Sequence, residues 1–115
     1  MAQLWVNLPA AKKMSAPNYQ PILNKSIPKF KIPGGEVRVI AGKFQGKAGA
    51  AKTHTSLNLW DITLEGEACM ELPIPETHKT AMVLSRHGTI KLQQHTLGPQ
   101  SLALLSREGM TLSLV

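Results

Sequence analysis

Four histidines, one cysteine and a short run of carboxylates are the side chains in this sequence with reactive potential. A metal site needs several donors converging, and His-x-His on a strand would put two imidazoles on one face. His54 ("KTHTS"), His78 ("PETHK"), His87 ("RHG") and His95 ("QQHTL") form no such pair and read as solvent-facing loop residues. Cys69 lies between Glu67 and Glu71, which disfavour the thiolate that a nucleophile needs, so it reads as a small buried hydrophobe. Ser85 and Ser106 sit at strand ends without a Gly-x-Ser-x-Gly elbow. Glu65, Glu67 and Glu71 would share one face of an unbroken strand, where two of them could work as acid and base, but a solvated edge or turn is the simpler reading. The stretch "GEVRVIAGKFQGKAG" follows no phosphate-loop pattern and no helix begins after it. Gly42 and Gly46 read as turn residues and Gly49 as part of a flexible loop.

The elements that would position these groups are short and extended. "EVRVIAG" alternates Val37, Val39 and Ala41 with Glu36, Arg38 and Ile40, and "SLNLWDITL" repeats the period of two. "ACMELPI", "TAMVLS", "TIKLQQ", "SLALLS" and "MTLSLV" follow, separated by turn-forming gaps such as "EGE", "RHG" and "LGPQ". Some seven strands at near-regular spacing predict an antiparallel sandwich or barrel. Upstream, Pro9, Pro17, Pro21, Pro28 and Pro33 exclude a long helix. Residues 1–35 therefore read as a strand plus a Pro-rich linker, with "PILNKSIPKF" extended and anchored by Ile22, Leu23, Ile27 and Phe30, and residues 36–115 as the barrel.

The charge is uneven. The chain has 115 residues and a formal net charge of +6. Residues 1–55 hold Lys12, Lys13, Lys25, Lys29, Lys31, Arg38, Lys43, Lys47 and Lys52 against Glu36 alone, whereas residues 56–115 lean acidic. Lysine outweighs arginine and aromatics make up 4% of the chain, which argues against base stacking or bidentate base readout. No run approaches the roughly 20 apolar residues of a membrane span, and no signal peptide is visible. A lone cysteine excludes an internal disulfide, and the expected setting is cytoplasmic.

Both ends look apolar and unfinished. Leu4, Trp5, Val6 and Leu8 make a strand-like run at the start, and "MTLSLV" stops inside a strand at Val115. The string "QLWVNLPAAKKMSAPNYQ" closely resembles the segment linking the two halves of pirin-like proteins, two-domain cupins also called pirin-family quercetin dioxygenases. The likeness runs on through "GGEVRVIAGKFQGKAGAAKTHTSLNLWDITLEGEACMELPIPETHKTAMVLSRHGTIKL" and covers essentially all 115 residues. It implies an all-β fold: a small antiparallel cupin-type jelly-roll barrel, incomplete at both ends, comprising the interdomain linker and the carboxy-terminal half. It also implies that iron, held by three histidines and a glutamate, belongs to an amino-terminal half upstream of Met1, and that family members continue past "EGMTLSLV". Neither the His-x-His motif nor the second histidine motif of a cupin occurs at the matching places, so the resemblance assigns no catalytic, cofactor or metal residue here.

The expected function is thus a metal-free, non-catalytic cupin domain with a structural and partner-binding role. The longer family is associated with iron-dependent quercetin dioxygenation and transcriptional co-regulation. Leu4, Trp5, Val6, Leu8 and Val115 are the expected contacts with the other half or with a second copy of the chain; burying such side chains stabilises by about 1.5–3 kcal/mol each. A stand-alone metal-dependent cupin enzyme and a basic nucleic-acid-binding module are the rival readings.

Overall fold

In a computed structural model the chain is described at residues 3–75, 78, 80–93, 95–105 and 111–114, with backbone alone at Pro73 and 111–114. Among these residues there is no α-helix. The only helical elements are two three-residue 3-10 turns, Ala10–Lys12 and Asn24–Ser26. Eleven short strands follow: β1 Lys29–Ile32, β2 Gly35–Ala41, β3 Lys43–Phe44, β4 Lys47–Ala48, β5 Leu59–Leu64, β6 Met70–Pro73, β7 Met82–Ser85, β8 Ile90–Leu92, β9 His95–Leu97, β10 Ser101–Leu104 and β11 Thr111–Leu114. They form four separate hydrogen-bonded sheets with the orders β1-β2-β5, β3-β4, β6-β11-β8-β9 and β7-β10.

The chain's contacts gather into two compact units, Met1–Phe30 with Val37–Asp61, and Lys31–Glu36 with Ile62–Val115.

In the first unit β2 supplies the core. Its alternation is the one expected: Val37, Val39 and Ala41 are buried while Arg38 and Ile40 are half-buried. Phe44 on β3, 4% exposed, closes this core. Its ring stacks on Phe30 at 6.4 Å and meets Trp60 edge-on at 5.3 Å. Such pairs add about 0.5–1.5 kcal/mol beyond the area they bury. The β3–β4 hairpin turns on Gln45 and Gly46, both at positive φ (48° and 81°), as a two-residue turn matched to strand twist requires.

Gly49 is no part of a flexible loop. Its amide donates to the Gly42 carbonyl at 2.7 Å, and the next turn of backbone is held by Ala51 donating to Ile40 at 2.9 Å. A Cβ at Gly49 would lie 2.8 Å from the Ala41 nitrogen, so the close approach of two backbones demands glycine there. Gly42 is constrained twice over, by φ +79° and by the Leu57 carbonyl where a Cβ would sit.

The Pro-rich stretch departs from the expectation of a wholly extended linker. A 3-10 turn interrupts it at Asn24–Ser26, and β1 begins at Lys29. Pro28 still contributes to pairing, because its carbonyl accepts the Val39 amide at 3.0 Å. Ile22, Ile27 and Phe30 are half-buried as anchors should be, but Leu23 faces solvent.

The second unit is held by antiparallel ladders. β6 pairs β11 from Met70↔Leu114 to Pro73↔Thr111, and β8 pairs β9 from Ile90↔Leu97 to Leu92↔His95. Leu72 and Leu92 are its buried apolar side chains among the described residues. β7 and β10 form a two-stranded ribbon in which Met82 faces Leu104 and Leu84 faces Leu102. β5 ends at Leu64, and the turn that follows, with the Ala68 amide on the Glu65 carbonyl at 3.2 Å, removes the unbroken strand on which Glu65, Glu67 and Glu71 would have shared a face.

Candidate interaction site

Among the described residues the potentially reactive side chains do not gather into one donor cluster. Among the described residues no group of three or more His, Cys, Asp or Glu lies close enough to hold a metal. His54 and His87 are exposed in bends, as expected. His78 is half-buried with its amide on the Pro75 carbonyl at 3.0 Å, and His95 is exposed as expected but opens strand β9 rather than lying in a loop. The iron that the resemblance associates with its family needs three histidines and a carboxylate around one point, and the donors described here do not fit that set. Ser85 is fully buried and its hydroxyl donates to the Gly88 carbonyl at 3.2 Å, which ties off the β7 end rather than presenting a nucleophile. Ser106 lies outside the described residues. Cys69 is exposed, against the expectation of burial, because it sits between the turn after β5 and the start of β6. In the second unit Lys31, Glu36, Thr63 and Glu65 border an open depression of about 460 Å³.

What the first unit does present is an apolar, basic strap. Residues 3–9 have no regular structure, so the strand expected at Leu4–Leu8 does not form. Trp5 is 90% exposed, Leu4 and Val6 are half uncovered, and only Leu8 is partly buried. A strand needs a neighbour to receive its backbone groups, and among the described residues this segment has none. Val115, the other expected contact, lies outside the described residues. Further along the strap Met14 and Tyr19 are also exposed.

Two polar fastenings hold the strap. The Gln20 amide donates from Nε2 to the Lys52 carbonyl and accepts the Lys52 amide at Oε1, both at 2.8 Å. Asn24 accepts from Arg38 Nη2 at 2.7 Å, while Arg38 Nη1 donates to Asp61 Oδ2 at 2.8 Å. Both members of this ion pair keep about a quarter of their side-chain surface (26% and 25%). The pair is therefore partly shielded and stronger than a surface bridge. Arg38 Nε and Trp60 Nε1 are buried without a hydrogen-bonding partner among the described residues. Sequence reasoning missed both fastenings. The signal for the second was present, since a carboxylate inside the apolar strand "LWDITL" needs a cation to offset its desolvation.

The second unit presents a different surface. Met82, Leu84, Leu102 and Leu104 on the β7–β10 ribbon are 47–71% exposed, in direct cross-strand register. This face was not anticipated. Among the described residues no helix is long and apolar enough to cross a membrane.

No protein-family model matches the chain. Individual relatives do. The chain is 40% identical over 99% of its length to a protein of Pseudomonas aeruginosa named "Putative quercetin 2,3-dioxygenase", covering 40% of that protein. It is 30% identical over 93% of its length to a protein of the same description from Thermoplasma acidophilum, covering 44% of it, and 33% identical over 96% of its length to a "Pirin-like protein" of Solanum lycopersicum, covering 38%. Among solved structures, a quercetin 2,3-dioxygenase from Acinetobacter baumannii superimposes with a TM-score of 0.88 at 39% identity, over 96% of this chain and 39% of that one. The chain thus spans about two fifths of the length of the relatives it matches, and the cupin-type all-β fold that the resemblance implied is theirs. In sequence and in fold this chain is pirin-like, a member of the cupin family that includes the quercetin 2,3-dioxygenase relatives.

Proposed function

We propose that this chain is the linker (residues 1–35) and carboxy-terminal cupin half (36–115) of a pirin-like protein, and that it works as a metal-free, non-catalytic, partner-binding element in a cytoplasmic setting. The observation that carries the reading is the strap. Leu4, Trp5 and Val6 are held out in solvent on a segment with no strand partner among the described residues. Exposed apolar clusters of this kind mark interaction surfaces. The occupant in this reading is the remaining part of a pirin-like protein, or a second copy of the chain. The dispersed histidines support the metal-free part, since oxygen chemistry at iron requires a clustered donor set with open positions. Quercetin dioxygenation, the activity in the names of the relatives, would then depend on residues beyond those described here.

Two measurements test this. Metal analysis of the purified chain after iron loading should give far less than one iron per chain; stoichiometric iron lost on His78→Ala or His87→Ala overturns the metal-free reading. Trp5 fluorescence should be red-shifted in the dilute chain and shift to the blue as concentration rises or as a pirin-like amino-terminal half is added. A spectrum unchanged by either partner removes the docking role.

A further inference from the structure

We infer that the first unit binds single-stranded nucleic acid through its phosphates, independently of base sequence. Met1–Phe30 with Val37–Asp61 contains every lysine from Lys12 to Lys52 except Lys31, together with Arg38, and its one carboxylate is Asp61. That carboxylate is already engaged by Arg38. The lysines are all exposed, so the unit carries a field of unopposed ammonium groups, while in the second unit carboxylates slightly outnumber cations. A one-sided excess of this size steers polyanions.

The chemistry of the cations selects the partner. Carboxylates on an acidic polypeptide are best gripped by guanidinium forks. The single arginine of this unit is occupied by Asp61 and Asn24. Lysines act as point charges that suit phosphate oxygens and release counterions on binding. The scarcity of arginine and aromatics speaks against base readout, which phosphate binding does not need.

One aromatic is nonetheless well set. Tyr19 is 86% exposed and precedes Gln20, whose amide is clamped to the Lys52 backbone. An exposed ring thus lies one residue from the clamp that joins this segment to the Lys52 backbone, and a stacking face together with cations is what single strands use. Lys43, on the β3–β4 hairpin of the same unit, is likewise exposed. The Leu4–Leu8 run takes no part, so failure of this inference leaves the proposed docking role standing.

The test is fluorescence anisotropy of the full chain with a labelled 20-nucleotide oligo(dT), a 20-base-pair duplex and polyglutamate of matched charge. If four phosphates are engaged, affinity for oligo(dT) should fall about 50-fold between 50 and 200 mM salt. Lys43→Gln with Lys52→Gln should flatten that dependence, since both residues use only backbone groups in their hydrogen bonds. Tyr19→Ser should weaken oligo(dT) about fivefold or more and leave the duplex unchanged. Lys91→Gln in the second unit should do nothing, with far-UV circular dichroism matched throughout. No binding at 50 mM salt, polyglutamate binding as tightly as oligo(dT), or Lys91→Gln acting as strongly as the first-unit pair would each overturn the inference.

Discussion

The two units use different means of cohesion. The first gathers bulky rings, Phe30, Phe44 and Trp60, around the buried side of β2 and fastens outlying chain to it with side-chain amides and one ion pair. The second relies on backbone ladders, with Leu72 and Leu92 as its buried apolar side chains among the described residues and a leucine-rich ribbon turned outward. The lesson is that apolar surface is left uncovered in two ways: in the first unit, which also carries the charge, on an irregular strap, and in the second on paired strands.

Core truncation tests this contrast most severely. Phe44→Ala should cost about 3–5 kcal/mol in urea unfolding, because it empties the centre of the ring cluster. Leu92→Ala should cost less, toward the low end of about 2–5 kcal/mol; equal costs would mean the second unit has a core of the same quality. Gly42→Ala comes next, at about 2–3 kcal/mol, since it adds a methyl against the Leu57 carbonyl at a positive φ. A loss below 1 kcal/mol there would show that β2 and the chain before β5 can move apart freely.

Asp61→Ala should cost about 1–2 kcal/mol, less than for a fully buried pair because both partners keep contact with water. The same variant should leave the ribbon untouched, as judged by amide exchange of β7 and β10. Smallest of all, Leu102→Ser with Leu104→Ser should change the stability of the dilute chain by no more than about 0.5 kcal/mol. A loss above 1 kcal/mol would mean that these side chains are covered in solution, and the contrast between the units would narrow.

Much of the fold was legible because it depends on local pattern. The period of two in "EVRVIAG" marked β2 and its buried face, and the Gly- and Pro-bearing gaps marked the breaks between later strands. Strands β3, β4 and β9 escaped notice because two or three residues carry no measurable period, and β1 was hidden within the prolines. The packing of Gly49 was illegible for a different reason: it is set by a backbone distant in sequence, and a glycine in a small-residue stretch looks the same whether loose or squeezed. The candidate site was read in part. Leu4, Trp5 and Val6, named from the sequence as contact residues, are exposed, and the strand expected of them required a partner strand that the local sequence does not specify. The Gln20–Lys52 clamp joins residues 32 apart through a neutral side chain, so neither charge nor hydropathy announced it.

That clamp has a consequence for how the chain ages. Spontaneous deamidation would turn the Gln20 amide into a carboxylate of nearly the same shape. The Lys52 N–H would keep its acceptor, but the Lys52 carbonyl would face an anionic oxygen where it had a donor. A single hydrolysis, adding less than one dalton, would convert a two-handed grip into one attraction and one repulsion, and so loosen the strap.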